Sequence, residues 1–213
     1  MNQDERPGSD GDQDVERVTI PRCIGCGAMR EFETCESGCD ERRVELVAAG
    51  DLEELGRAVE VTRGRIAVAA TVLQDLLRRA PTPDGLRAAH PSLARAARRA
   101  LHDVDRSPWL SPPQPAVEPM RVELWRCVRC GGVDAPQECI GVCIWRRFEW
   151  VPADVFDRRR RRLTRLEELE RSSFALLGRI AYATPREDAW EQNWRVIHRE
   201  ATRLLAQSRL GAR

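Results

Sequence analysis

Eight cysteines form two sets of four with the same internal spacing, C-x2-C-x8-C-x3-C. Each cysteine of the second set follows its counterpart in the first by 104 residues, and no cysteine falls outside the two sets. Four thiolates so close in sequence can supply all the ligands of a tetrahedral metal site. The spacing therefore predicts two equivalent metal sites, one of Cys23, Cys26, Cys35 and Cys39, the other of Cys127, Cys130, Cys139 and Cys143.

Disulfide formation is the competing chemistry for these cysteines, and it requires an oxidising compartment. The segment 1–14 is polar and acidic and lacks the apolar stretch of a secretory signal. No run of apolar residues is long enough to predict a membrane span. We therefore expect a cytoplasmic protein whose reduced thiols bind metal.

The first two cysteines of each set lie in the sequences CIGCG and CVRCG. The glycine after the second cysteine allows a tight turn in which backbone amides point at the sulfurs. This pattern resembles the knuckles of zinc ribbons and rubredoxins, and the resemblance implies a metal-binding turn. CIGCG also occurs in ferredoxins, but their later cysteines follow at closer spacing. We expect two structural Zn²⁺ ions, with iron or an iron–sulfur cluster as the alternative.

The offset of 104 residues extends well beyond the cysteines. The segment RVELV at 43–47 matches RFEWV at 147–151, Leu73 matches Leu177, and Leu101 matches Leu205. Matching apolar positions in separate segments predict a tandem duplication of one fold unit. We expect the following organisation: a disordered acidic tail at 1–14, repeats at 15–104 and 121–209, a proline-rich linker at 105–120, and a short tail at 210–213.

Short strands are predicted on both sides of each cysteine set. Alternating apolar residues place them at 15–20 and 44–47 in the first repeat and at 122–125 and 148–151 in the second. Each metal would then close a small β-hairpin.

Two helices are predicted after each hairpin. The apolar spacing starts the long helices at Asp51 and Asp154. In the second repeat, a capping box at 184–187 starts the next helix; in the first, that helix follows Thr82 and has a break at His90–Pro91. The predicted fold class is mainly α with small β, each repeat being a four-cysteine metal-knuckle hairpin followed by a helical hairpin. The two helical hairpins are expected to pack as a pseudo-twofold four-helix arrangement. The linker could instead hold them apart.

Charge is unevenly distributed along a chain that has a net charge of +1. Its 35 basic residues are all arginines, and the largest group is the run Arg158, Arg159, Arg160, Arg161 and Arg162. The run could bind nucleic-acid phosphates. Alternatively, it is a solvated helix face, because five consecutive residues surround a helix and Glu167 and Glu168 lie within reach.

Trp145 and Trp150 follow closely after the last cysteine of the second set. They are either anchors for a protein partner or core residues beside the metal. The three histidines lie far from the cysteine sets and do not correspond between repeats, so we do not expect them to bind the metal.

The sequence contains no nucleophile–base motif and no phosphate-binding glycine loop, and a zinc ion with four thiolates has no open position for water. We therefore expect a non-enzymatic interaction protein, an adaptor or assembly factor with a protein partner. The alternatives are a nucleic-acid-binding regulator and an iron-binding redox carrier or metalloenzyme maturation factor.

Overall fold

A computed structural model describes residues 15–23, 41–103, 120–128, 133–134, 144–183 and 186–211. This part of the chain is mainly helical, with a small antiparallel sheet, as the sequence predicts at that level. The five strands are β1 (Arg17–Cys23), β2 (Glu41–Ala48), β3 (Val122–Cys127), β4 (Val133–Asp134) and β5 (Trp145–Pro152). The four helices are α1 (Ala49–Arg79), α2 (Pro83–Asp103), α3 (Ala153–Tyr182) and α4 (Trp190–Gly211), and a 3-10 turn, Glu187–Ala189, precedes α4.

The described residues divide into two compact units, and each unit draws on both halves of the chain. One unit contains the five strands and the first turns of α1 and α3. The other contains the remainder of the four helices.

The five strands form one sheet in the order β1-β2-β5-β3-β4. β1 with β2, and β3 with β5, are the two expected hairpins, and β2 pairs with β5 between them. The sequence predicts the hairpins but not this central pairing. Local alternation shows which face of a strand is apolar, whereas it does not specify which distant strand lies alongside.

The two hairpins have the same register once the offset of 104 residues is applied. In the first hairpin Ile20 pairs with Val44, and adding 104 to both numbers gives the pair Leu124 and Phe148 of the second. An ion pair also recurs, since Arg17 lies 3.3 Å from Glu45 and Arg121 lies 2.5 Å from Glu149. Corresponding residues thus occupy corresponding positions in both hairpins.

The core of the sheet unit forms around Trp150, which is only 1% exposed. It packs with buried Ile20 and Leu46, and Val44 and Leu124 add to the cluster. All of these residues lie at alternate strand positions, so one face of the sheet supplies them.

The helical unit has one continuous core to which all four helices contribute. Buried residues recur at helical spacing along each helix, as expected for amphipathic helices that face one another. The cluster contains Val59, Ile66, Ala69, Leu73, Leu76, Ala80, Leu86, Leu93, Ala97, Ala100, Leu166, Leu169, Leu176, Leu177, Ile180, Ala181, Ile197, Ala201, Leu204 and Leu205.

Helix boundaries differ from the prediction in two respects. α1 and α3 begin directly after β2 and β5, which places Asp51 and Asp154 in the first turn, where a carboxylate interacts favourably with the helix dipole. α2 continues through Pro91, so the predicted break at that residue is wrong. Leu86 and Leu93 lie on either side of Pro91 and are both buried, and their burial offsets the loss of one helical hydrogen bond.

Thr82 starts α2 as expected, since the Gly85 amide donates to its hydroxyl at 3.1 Å. In the second half α4 starts at Trp190, after the 3-10 turn. Residues 184–185 of the predicted capping box lie outside the described residues.

Candidate metal centres

The first cysteine of each set occupies the last position of a strand. Cys23 ends β1 and is paired with Glu41, whereas Cys127 ends β3 and is paired with Trp145. Cys127 is fully buried. The two positions are equivalent because Glu41 and Trp145 also differ by 104 residues.

β3, the strand that ends at Cys127, pairs with β4 on one side and with β5 on the other. Arg126 pairs with Val133 of β4, so only six residues, including Cys127 and Cys130, connect this pair. On the other side of β3, the hairpin with β5 continues one step, because the Val128 amide donates to the Ile144 carbonyl at 3.0 Å.

The other six cysteines lie outside the described residues, namely Cys26, Cys35, Cys39, Cys130, Cys139 and Cys143. Within the described ranges, no group of three or more potential ligand side chains comes together. The predicted ligand sets therefore stay predictions.

The strand pairing bears on whether the two cysteine sets could share a metal. Val47 of β2 pairs with Val151 of β5, and the two hairpins extend from this point in opposite directions. Glu41 and Trp145, which pair with Cys23 and Cys127, each lie six residues from that central pair. At about 3.3 Å per residue, the two hairpin ends are up to roughly 40 Å apart along the strands.

Arginines lie beside both strand-end cysteines. Arg126, next to Cys127, forms an ion pair with Glu16, and Arg147 lies 3.1 Å from Glu123. Arg42 and Arg146 are exposed counterparts in the two hairpins. Part of this positive charge is thus already neutralised by carboxylates of the sheet unit.

The sequence leaves two roles open for Trp145 and Trp150, an anchor for a protein partner or a core residue. The structure corrects the anchor hypothesis for Trp150, because its indole is buried in the sheet core and cannot present a surface. Its counterpart in the first half is the equally buried Leu46, which explains the core position. The side chain of Trp145 lies outside the described residues.

Sequence reasoning missed a group of exposed apolar side chains on the second hairpin. Val128, Ile144 and Phe148 lie on the face of the sheet that carries Trp150, and Trp125 lies on the opposite face. All four are more than a third exposed. In the first hairpin, the counterpart of Phe148 is Val44, which is half-buried. Alternation identified these strands without indicating which apolar positions remain uncovered.

The arginine run lies near the start of α3, on several sides of the helix. Arg158 and Arg161 are exposed, whereas the other three are half-buried. Arg159 extends towards Gly56 of α1. A Cβ atom added at Gly56 would lie 3.1 Å from the Nη1 atom of Arg159. Arg158, Arg159, Arg160 and Arg162 all have interaction partners. The run does not form one open basic face.

A less conspicuous set of arginines does lie open. α2 has no acidic residue between Asp84 and Asp103, and its Arg95, Arg98 and Arg99 are exposed and make no ion pair within the described residues. The counterparts of Arg95 and Arg99 on α4, Arg199 and Arg203, have the same character. Spacing of four residues on a helix would have identified these pairs.

His90 has a structural role in the helical unit. Burial lowers the pKa of its imidazole, the charge of Arg98 adds to this effect, and a hydrogen bond to the Ile180 carbonyl opposes it. Its ring meets the edge of Trp190 with centroids 5.4 Å apart. These contacts place the imidazole between helices of the two halves.

Comparison of the chain with protein-family models, curated proteins and solved structures returns no significant match. Among the described helices, none combines the length and the apolar character that a bilayer crossing needs.

Proposed function

We propose that this protein is a non-enzymatic, zinc-structured interaction protein of the cytoplasm, an adaptor or assembly factor. It is a tandem duplication, and each half consists of a four-cysteine metal-knuckle hairpin followed by a helical hairpin. The observation that carries the proposal is the common register of the two hairpins, which puts Cys23 and Cys127 at equivalent strand ends.

Each cysteine set suits one metal site because of how the hairpin connects it. Cys39 lies two residues before Glu41, the strand residue that pairs with Cys23. In the same way, Cys143 lies two residues before Trp145, which pairs with Cys127. Two residues span at most about 7 Å, so the fourth ligand of each set is tethered near the first. Four thiolates around one Zn²⁺ leave no open coordination position, and the sites are therefore structural.

The second hairpin is the surface proposed to bind a protein partner. Phe148 and Trp125 supply exposed aromatic area on its two faces, and aromatic residues dominate the energy of protein interfaces. Arg146 is exposed on the same face as Phe148 and adds a polar contact.

Metal analysis of the purified protein tests the sites. We expect about two equivalents of zinc per chain and no colour, whereas iron would give a red-brown protein. Cys35→Ser and its counterpart Cys139→Ser should each reduce the content by about one equivalent. Loss of both metals from either single variant, with the fold retained, would contradict separate sites.

Affinity capture from the source cytosol tests the interaction surface. A specific partner should be lost with Phe148→Ala or Trp125→Ala and retained with Tyr182→Ala, which removes an exposed aromatic ring from α3. If all three variants retain the partner, the second hairpin is not the binding surface.

Nucleic-acid binding is the second candidate function, and the arginines of α2 favour it. Like charges four residues apart on a helix are unfavourable unless a counter-ion is present, and Arg95 and Arg99 have this spacing without a carboxylate partner among the described residues. Phosphates could supply the missing charge.

A salt titration of binding to a random DNA duplex tests this candidate. Changing Arg95, Arg98 and Arg99 to Gln should weaken binding and reduce its salt dependence. The same change at Arg158, Arg161 and Arg162 should have less effect. The reverse order would restore the α3 run as the binding surface, and no binding by the native protein would exclude the function.

A further inference from the structure

We infer that the two halves of this chain form a non-covalent pair whose interface needs no connecting segment. Residues 15–103 and 120–211 would stay assembled if the chain were cut between them. The inference rests on the duplicated arrangement proposed above, but not on which metal the cysteines bind or on which partner the protein has.

The sheet unit contains a twofold-symmetric junction between the halves. Val47 pairs with Val151, its own counterpart at an offset of 104 residues. On either side of this pair, Leu46 pairs with Pro152 and Ala48 pairs with Trp150. These two pairs are equivalent, because Trp150 is the counterpart of Leu46 and Pro152 is the counterpart of Ala48. Two identical edge strands that meet in an antiparallel dimer would produce this register.

Both valines at this junction are almost completely buried. If the halves separated, β2 and β5 would each expose an unpaired edge together with this apolar residue. The junction therefore stabilises both hairpins at once.

The helical unit repeats this mutual dependence. One core cluster takes buried side chains from α1 and α2 of the first half and from α3 and α4 of the second. A two-helix hairpin has one apolar face, which it must bury against another element. Each half provides the surface that the other half needs.

Contacts across the interface also come in counterpart positions. Trp194 donates its indole N–H to the carbonyl of Ala80, just after α1, at 2.9 Å. His90, the residue at the same position of the first half, meets the edge of the Trp190 ring of α4, with ring centroids 5.4 Å apart. Carbonyls at a helix end lack an intrahelical donor, so the second half caps the long helix of the first.

An ion pair joins the long helices of the two halves as well. Arg65 of α1 lies 3.3 Å from Glu170 of α3, whose side chain is mostly buried. Apolar, hydrogen-bonded and charged contacts therefore all cross from one half to the other.

Site-specific proteolysis of the full chain tests the inference. A protease site is inserted between Ser111 and Pro112, the metal content is measured, and the purified protein is cut. Native mass spectrometry should find both fragments together at the mass of the uncut protein plus the one water added by hydrolysis, and size-exclusion chromatography and far-UV circular dichroism should be unchanged. The melting temperature should become dependent on protein concentration, because unfolding now separates two molecules.

Fragments that separate, or that lose their helix content after the cut, would overturn the inference. A failure of the proposed function would show independently, as an altered metal count or no partner capture by the uncut protein.

A matched pair of substitutions locates the junction. In the cut protein, Val47→Glu should raise the concentration needed for assembly by at least about tenfold, since it puts an unpaired charge at the buried centre of the sheet. Val61→Glu, at an exposed position of α1, should change it less than about twofold. Equal effects of the two variants would also overturn the inference.

Discussion

At the scale of single residues, Trp150 shows how a counterpart position decides the role of a side chain. The sequence left open whether its indole is a partner anchor or a core residue; it fills the position that Leu46 fills in the first half, and both are buried. Its Nε1–H finds no acceptor among the described residues. The ring therefore contributes through its apolar area and not through its polar group.

This core role predicts that substitutions of Trp150 have a large effect on stability. Trp150→Ala should lower the free energy of unfolding by about 3–5 kcal/mol, the usual cost of removing a buried aromatic ring. Trp150→Phe should lose less, because it also removes the unpaired donor. Denaturant titration measures both. Phe148→Ala, two residues away and 37% exposed, is the control and should cost about 1 kcal/mol; an equal loss at both positions would contradict the core role.

At the scale of elements, the helices and strands were predictable to the extent that local periodicity determines them. Apolar spacing identified α1 and α3 and the strands on both sides of the cysteines. The pairing of β2 with β5 was not predictable, because the apolar pattern of Val47 and its neighbours fits any strand with a complementary face. For the metal centres, spacing alone predicts the ligands, and the structure adds the equivalent positions of Cys23 and Cys127.

Pro91 is the element-scale exception, since it lies inside a helix that continues around it. Replacing it with Ala restores a backbone donor and removes a steric conflict with the preceding turn. Pro91→Ala should therefore raise the free energy of unfolding by about 1–3 kcal/mol in a denaturant titration.

Pro83→Ala provides the control for this prediction. Pro83 is the first residue of α2, where the missing N–H would have no helical partner, so its replacement should change stability by less than about 0.5 kcal/mol. A loss of stability in Pro91→Ala would mean that the proline shapes α2 in a way that the packing requires.

At the scale of the whole molecule, the two units differ in how much apolar burial supports them. Among the described residues, the sheet unit has 10 buried apolar side chains and the helical unit has 21. Short β-hairpins are only marginally stable by themselves, and we propose that the metal sites add stability to this unit. From the size of the helical core, we expect the helices to stay folded together without that contribution.

Metal removal should therefore separate the stabilities of the two units. After chelation under reducing conditions, hydrogen exchange should accelerate in β1, β2, β3 and β5, while the amides of α1 to α4 stay protected and far-UV circular dichroism keeps most of its helical signal. Restoring zinc should restore protection in the strands, which serves as the control for irreversible damage. If the helices lost protection together with the strands, the metal sites would organise the entire fold, and the core shared by the four helices would not be sufficient by itself to keep them folded.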